Sequence, residues 1–298
     1  MNNKQYVEAF LDYLRYEKAL SPMTVQSYQG DLKAFEAFFQ KLDNNLTWDD
    51  IDADIAREWI VSMMDKGNKA TSTQRRLSAL KSCFRFLHKK GIVQRNPIRN
   101  VTAPKGERTL PVFVRESDMQ RLLDSEDAFT NDFIGIRDRL IIETFYETGI
   151  RAAELIAINV EDVKTSAMTL CVRGKGNKQR IVPFGERLLH LIYIYIGERA
   201  RRNNIKTEAL FVTKKGERMY YSIVREVVTQ KLALVTDQKK RSPHVLRHTF
   251  ATTMLNHEAG LEAVKELLGH EKLSTTEIYT HTTFEELKKA YHNAHPRA

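Results

Sequence analysis

A histidine and an arginine lie three residues apart in the sequence SPHVLRH, which begins at residue 242. Ser242 is typical of an N-cap residue and Pro243 of the first helical position, so a helix is predicted to begin here. His244 and Arg247 would share one face near the helix N-terminus, where unpaired N–H groups attract an anion. The spacing predicts either a phosphate-binding pair or an exposed polar helix start. His248 adds a second histidine, but no further metal ligand is evident, so a metal site is disfavoured.

An arginine and a glutamate also lie three residues apart, in the sequence TGIRAAEL. Gly149 is typical of the end of one helix, and Arg151 then opens the next. Glu154 would lie on the same helical face as Arg151 and could hold its guanidinium in place. Alone, this pair is equally consistent with a simple ion pair on the surface.

A lysine lies on the turn of a predicted β-hairpin. The strands are expected at Met168–Arg173 and Gln179–Pro183, with the turn sequence GKGN between them. Two glycines bracket Lys175 and would lift it off the strands. Such a lysine is either merely solvated or able to reach into a duplex groove and donate a proton.

A tyrosine follows a glycine–histidine pair near the end of the chain. Ser274 and Glu277 have the spacing of a capping box, which places Tyr279 in a new helix shortly after His270. A tyrosine here could simply pack against its neighbours. Phenol has a pKa of about 10 and is a weak nucleophile unless cations and a base surround it. The two arginines and His244 could supply that environment.

The elements that must position these residues differ along the chain. Apolar residues at helical spacing predict four helices in the first 100 residues, the second of them beginning at Ser21-Pro22. The sequence PKGERTLP, residues 104–111, indicates an extended linker. Beyond the linker the hairpin is mixed with helices. Further helices are predicted near Glu116–Leu123, Ile136–Glu147 and Glu186–Glu198, and after Tyr221.

The positive charge is concentrated in one segment. The chain has 47 Lys and Arg against 38 Asp and Glu, a formal net charge of +9. Residues 66–105 contain eleven of those cations and no acid, and they include an apolar helical stripe at Leu77, Leu80, Phe84 and Leu87. The other face of this helix could dock on a nucleic-acid backbone, unless the cluster is a solvated face. The predicted DNA contacts are Arg75, Arg76, Ser78, Lys81, Ser82, Arg85 and Lys89.

Composition excludes several protein classes. The length of 298 residues suggests two domains, and 42% hydrophobic with 29% charged residues indicates a globular chain. Two distant cysteines make neither a disulfide framework nor a zinc pattern. The most apolar stretch, Leu188–Ile196, is too short to span a bilayer, and the N-terminus lacks the apolar core of a signal peptide. A cytoplasmic location without a membrane partner is therefore expected.

Taken together and in this order, these motifs resemble the tyrosine recombinase (phage integrase) family. The family pattern is an arginine in a TG-[LI]-R-x-x-E-L segment, a hairpin-turn lysine, H-x-x-R, a glycine–histidine pair, and a tyrosine about nine residues later. The final stretch and the hairpin RGKGNKQRIVPFG look like the Xer subgroup (XerC and XerD), and the basic helix looks like the family's DNA-contacting helix. The matching catalytic residues are Arg151, Lys175, His244, Arg247, His270 and Tyr279.

The resemblance implies a mechanism. Tyr279 attacks a backbone phosphate and expels a 5′-hydroxyl, which leaves a 3′-phosphotyrosyl link. Arg151, held in place by Glu154, and Arg247 neutralise the developing charge. The two histidines hydrogen-bond the phosphate or assist proton transfer, and Lys175 is the acid for the leaving oxygen. No metal or other cofactor is needed, because the arginines take the place of a metal.

The resemblance also implies the fold and the partners. Residues 1–103 would form an all-α, SAM-like core-binding domain, 104–111 a linker, and 112–298 a mixed α+β DNA breaking-rejoining domain. The substrate would be a double-stranded DNA recombination site, with four subunits on two sites. The Xer subgroup resolves chromosome dimers at cell division, and some members act with a related recombinase under a DNA translocase of the division septum. The segment from Phe284 to Tyr291 would be expected to dock on a neighbouring subunit.

Three other functions are open at this point. A phage or mobile-element integrase would use the same chemistry, although the short chain without an extra N-terminal arm-binding domain argues against it. A DNA-binding protein without catalysis would explain the basic helix but not the six-residue set. A metal-dependent nuclease would need a carboxylate cluster, which the sequence lacks.

Overall fold

The chain divides into two units, Met1–Thr109 and Leu110–Ala298. The computed structural model describes residues 2–106, 112–174, 178–269 and 284–298. Within those ranges, no helix is long and apolar enough to cross a membrane. The first unit is all helical and the second mixes helices with a small sheet, which confirms the predicted fold class.

Four helices surround an aromatic core in the first unit. The helices are α1 (Asn3–Asp12), α2 (Pro22–Leu42), α3 (Ala53–Asp65) and α4 (Ala70–Lys89), with a π-helical turn at Tyr13–Glu17. Phe10, Phe35, Phe39, Trp48 and Phe84 are fully buried there, and aromatic rings of α1 and α4 and of α2 and α3 pack against each other.

The starts and faces of these helices agree with the sequence. The Ser21 side chain accepts a hydrogen bond from the Thr24 amide at 3.3 Å, so it caps α2 as predicted. On α4 the apolar stripe is buried: Leu77, Leu80 and Phe84 are at most 4% exposed. The basic face of α4 is therefore turned away from the core of its own unit.

The second unit places its sheet and helices around a separate core. Its strands are β1 (Val163–Lys164), β2 (Thr169–Arg173) and β3 (Gln179–Pro183), antiparallel in the order β1-β2-β3. Arg173 pairs with Gln179, which confirms the predicted hairpin strands. The helices are α5 (Glu116–Leu123), α6 (Phe133–Thr148), α7 (Ala152–Ala157), α8 (Glu186–Ala200), α9 (Tyr221–Ala233), α10 (Pro243–Asn256), α11 (Leu261–Leu268) and α12 (Phe284–Ala294).

A glycine joins α6 to α7 at the closest approach of α10. Gly149 ends α6 with a left-handed φ of 59°. A Cβ atom there would lie 2.4 Å from a ring carbon of Phe250 on α10, so a larger residue would push the two helices apart. This contact brings the start of α7 next to the first turns of α10.

Helix α12 packs on its own unit. Tyr291 is fully buried, and its hydroxyl donates to the Glu147 carboxylate of α6 at 3.2 Å. Burial, and then the neighbouring Glu143, raise the pKa of Glu147 to about 8. Arg297 forms an ion pair with Glu143 at 2.5 Å. The segment expected to dock on a neighbouring subunit is thus packed against its own unit, where Tyr291 joins an apolar cluster with Phe250 and Leu268.

Candidate active site

Arg151 is the residue that precedes α7, and Glu154 holds it there. The Arg151 backbone N–H donates to Glu154 Oε2 at 2.7 Å, and Arg151 Nη1 donates to Oε1 at 2.8 Å. Arg151 Nη2 also donates to the Gly269 carbonyl at 3.1 Å. The Arg151 side chain is still 38% exposed, whereas that of Glu154 is 3% exposed. The pair is therefore a buried carboxylate that orients a partly open guanidinium.

Arg247 lies in the first turns of α10 and is almost fully buried. Pro243 is the first residue of α10 and Ser242 occupies the N-cap position, as predicted, although the Ser242 side chain makes no capping hydrogen bond. Arg247 donates to the Gly149 carbonyl at 2.8 Å and to the Leu268 carbonyl at 2.7 Å. The first of these bonds ties it to the α6–α7 junction, two residues from Arg151.

Arg247 lies close to other arginines. Burial, and then the nearby Arg151, lower the pKa of Arg247 from 12.5 to about 10, with Glu154 acting in the opposite direction. It therefore stays protonated at neutral pH. Arg151 and Arg180 both bind the buried Glu154 carboxylate, and Arg247 lies close enough to all three for their charges to affect its pKa. Such a cluster favours a multiply charged anion such as a phosphodiester in its transition state.

Glu154 stays ionised because both of its oxygen atoms are bound. Burial would raise its pKa, but hydrogen bonds from Arg180 and Arg151 outweigh burial and lower the pKa. Arg180 donates to both Glu154 oxygen atoms, at 2.8 and 2.9 Å. The carboxylate is fixed from both sides.

The same three arginines bind the carboxyl end of α11. Arg180 Nε donates to the Leu267 carbonyl at 3.0 Å, while Arg247 and Arg151 bind the carbonyls of Leu268 and Gly269. The last carbonyls of a helix have no partner within the helix. The hydrogen bonds from the three arginines to these carbonyls hold the end of α11 in place.

The other predicted site residues are placed only in part. His244 is exposed on the first turn of α10, one turn from Arg247. Lys175 lies in residues 175–177, and His270 and Tyr279 lie in 270–283; all three are outside the described residues. The described end of the hairpin lies close to the arginine cluster, because a Cβ atom on Gly174 would be 3.6 Å from Glu154 Oε1. Of the six predicted catalytic residues, Arg151 and Arg247 are the two that the described part of the structure brings together in the arginine cluster.

Arg180 was absent from the sequence prediction. Along β3, residues alternate between exposed and inward positions: Ile181 is 52% exposed, while Val182 is fully buried. Side chains alternate between the two faces of a strand, so Arg180, two residues before Val182, lies on the same inward face. An arginine on the inward side of a strand, beside a hairpin turn of interest, was the signal that could have found it.

The basic face of α4 divides into two parts. Arg75 donates to both carboxylate oxygens of Asp31 on α2 and to the Ser27 hydroxyl at 2.7 Å. Arg76 lies 3.8 Å from the same carboxylate. Arg85 and Lys89 are exposed and have no ion-pair partner within the part of the chain that the structure describes. The remaining candidates are the exposed Ser78 and the partly exposed Lys81 and Ser82.

A metal centre has no support among the residues that the structure describes. No group of three or more His, Cys, Asp or Glu side chains there could hold a metal ion. His244 and His248 are both exposed on α10.

The sequence matches known family models in both units. The model of the phage integrase family matches residues 112–286, and that of the phage integrase N-terminal SAM-like domain matches residues 7–91. Tyrosine recombinase XerC of Pelotomaculum thermopropionicum is 37% identical, covering 98% of each chain. Tyrosine recombinase XerC of Vibrio cholerae serotype O1 is 39% identical over 99% of this chain and 93% of its own length.

The fold also matches solved structures. The XerH site-specific recombinase bound to its difH substrate, in a pre-cleavage complex, has a TM-score of 0.70 and 24% identity. That match covers 97% of this chain and 84% of XerH. The post-cleavage complex of XerH with a palindromic difH substrate has a TM-score of 0.73 and 23% identity, covering 95% and 82%.

Proposed function

The chain belongs to the phage integrase family of tyrosine recombinases, and on that premise we propose that it exchanges DNA strands at a specific site through a 3′-phosphotyrosyl intermediate. The observation that carries the proposal is the arginine cluster around Glu154. Among the residues that the structure describes, the cluster consists of Arg151, Arg180 and Arg247 around this buried carboxylate. A phosphodiester gains negative charge on its non-bridging oxygens when it is attacked, so arginines held in one place favour the transition state.

The proposed reaction is two successive transesterifications. The Tyr279 phenol attacks the phosphorus atom, the bond to the 5′-oxygen breaks, and that oxygen takes a proton from Lys175. The phenol proton passes to a base, for which the two histidines are the candidates. A 5′-hydroxyl of another strand then attacks the phosphotyrosyl bond and releases the tyrosine. One phosphodiester replaces another of similar energy, so the exchange needs no ATP, and the arginines take the place of a metal.

Contact with the DNA backbone outside the reacting phosphate is assigned to α4. Lys81, Arg85 and Lys89 present cations away from the core of the first unit, and Ser78 and Ser82 present hydroxyls. Contacts of this kind fix the register of a protein on a duplex. Arg75 and Arg76 belong to the same face, although Asp31 already neutralises part of their charge.

The proposed biological role is resolution of chromosome dimers at cell division. It is supported by the similarity to proteins named XerC over nearly the whole chain. The proposed assembly is four subunits on two duplex DNA sites, with a related recombinase as partner and a DNA translocase of the septum as regulator. A cytoplasmic location follows from this role.

Covalent trapping tests the proposal directly. A suicide substrate with a nick next to the scissile phosphate loses its short 5′-hydroxyl fragment, so the 3′-phosphotyrosyl adduct accumulates. The wild-type protein is expected to form a covalent band on a denaturing gel, in the presence of a chelator as well. Tyr279→Phe should bind the same DNA in a mobility-shift assay and form no band. A band with the Phe variant would show that another residue is the nucleophile, and loss of the wild-type band with chelator would indicate a metal-dependent nuclease.

A further inference from the structure

Arg180 joins three parts of the second unit that the proposed reaction brings together. It lies on β3, beside the hairpin turn. Its side chain binds the Glu154 carboxylate in α7 and the Leu267 carbonyl near the end of α11. We propose that Arg180 is a positioning residue, which holds the Glu154 carboxylate, and through it the Arg151 guanidinium, in the orientation that meets the reacting phosphate. This inference rests on the proposed function.

The bonding of Glu154 supports a role in orientation. Each of its oxygen atoms accepts one bond from Arg151 and one from Arg180, at 2.7 to 2.9 Å. The fork of Arg180 grips the carboxylate at two points, so the plane of the carboxylate cannot rotate. A carboxylate fixed in this way can hold Arg151 at a single angle, whereas a rotating one would let the guanidinium move.

The anchoring of Arg180 separates it from Arg151, which is proposed to touch the phosphate. All three of its guanidinium nitrogens donate to protein acceptors: Nε to the Leu267 carbonyl, and Nη1 and Nη2 to Glu154. Its side chain is 17% exposed, against 38% for Arg151. A Cβ atom on Gly269 would approach Arg180 Nη1 to 3.1 Å, so the surroundings fit tightly. Arg180 therefore acts through Glu154, whereas the more exposed guanidinium of Arg151 is accessible to the phosphate.

The test compares two substrates that differ in charge. Single-turnover formation of the covalent adduct is measured on the nicked substrate with either a phosphate or a neutral methylphosphonate at the scissile position. A methylphosphonate carries one negative charge less in its transition state, so it depends less on oriented arginines. We expect Arg180→Met to slow the adduct about 100-fold on the phosphate. On the methylphosphonate the loss should shrink to roughly tenfold or less.

Two further variants keep the test independent of folding. Arg180→Lys keeps the charge but has no fork, so it should behave like Arg180→Met and not like wild type. Arg218→Met is the matched control, because Arg218 also braces α7, through the Ile156 carbonyl at 2.7 Å and Asn159 at 2.6 Å, without touching Glu154. It should lower the melting temperature and leave the adduct rate close to wild type on both substrates.

Several outcomes would overturn the positioning role. One is an Arg180→Met rate equal to that of Arg218→Met, and another is an equal loss on both substrates. Full recovery by Arg180→Lys would show that only the charge matters. If the wild-type protein forms no adduct on the phosphate, the proposed function fails and the inference with it. A wild-type adduct with an unaffected Arg180→Met variant overturns the inference alone.

Discussion

Two buried carboxylates, one in each unit, hold pairs of arginines in different ways. Asp31 in the first unit is 5% exposed and binds Arg75 and Arg76 of α4. Glu154 in the second unit is 3% exposed and binds Arg151 and Arg180. In both places a carboxylate that has lost its water is stabilised by two guanidinium groups.

The difference lies in what else binds the arginines. The Arg75 side chain is 52% exposed, and it binds the side chains of Asp31 and Ser27. Arg151, Arg180 and a third, buried arginine, Arg247, bind three successive carbonyls at the end of α11, those of Gly269, Leu267 and Leu268 respectively. A surface cation of the first kind can position a DNA backbone, whereas only a fixed cluster of the second kind can stabilise charge that develops during a reaction.

The largest expected effect comes from replacing Arg247. It is the third arginine near Glu154, whereas Asp31 is described with a pair of arginines. Arg247→Gln should slow covalent adduct formation about 1,000-fold, because one donor to the developing charge is lost. DNA affinity should change little, since α4 and the remaining cations still bind the backbone. Single-turnover rates at saturating protein, with mobility-shift binding in parallel, measure the two effects separately. Equal losses in rate and affinity would mean that Arg247 contributes to DNA binding in the same way as the arginines of α4, and not specifically to the reaction.

An effect of intermediate size concerns the charge on Glu154 and has a defined pH dependence. The folded state lowers the pKa of Glu154 below its ordinary 4.5, so its ionised form stabilises the fold above that value. At pH 7, Glu154→Gln should lower the free energy of unfolding by about 2 kcal/mol, which is about 5 °C in Tm. The difference in Tm between wild type and Glu154→Gln should shrink as the pH falls below 4.5 and Glu154 is protonated. Thermal unfolding from pH 7 to 3.5 measures this difference.

The control for the pH experiment is an exposed carboxylate. Glu262→Gln removes one that pairs with Lys265 on the surface of α11 and should leave the unfolding curve close to wild type at every pH. A gap between wild type and Glu154→Gln that stays constant down to pH 3.5 would contradict the lowered pKa.

The smallest expected effect is on the first unit. Arg85→Ala should weaken DNA binding several-fold and reduce the slope of log K against log salt by about 1, because one phosphate contact is lost. Arg75→Ala should reduce the slope less, since Asp31 already neutralises part of its charge. Arg57→Ala, on the exposed side of α3 beside Asp54, is the control and should leave the slope unchanged. Binding isotherms at several salt concentrations give the slopes. If Arg75 and Arg85 prove equal, the Asp31 pairing does not matter for DNA.

Local spacing predicted the parts of the site that short-range geometry governs. A spacing of three residues predicted the Arg151–Glu154 contact, which forms between the N-cap of α7 and its third helical residue. The serine and proline before His244 predicted the start of α10. The turn sequence predicted the hairpin, and helical periodicity predicted the apolar stripe of α4. The all-α and α+β halves follow from the same periodicities.

Pairings between distant elements could not be predicted in this way. Arg75 was assigned to DNA from the face of α4, but its partner Asp31 lies 44 residues earlier on another helix. Arg180 meets Glu154 across 26 residues and a strand, and Tyr291 meets Glu147 across 144. Periodicity along one element carries no information about which other element will pack against it.

The arginine cluster also determines when during folding the site can exist. Its contacts join residues 26, 87, 98 and 118 positions apart, drawn from α7, β3, α10 and the end of α11. Each such contact waits for the closure of a long loop, which costs entropy and is slow compared with helix formation. We therefore expect a refolding chain to regain its helices first and the contacts of the arginine cluster last. A partly folded molecule would then carry the basic surface of α4, proposed to bind DNA, before the cluster that is proposed to act on that DNA.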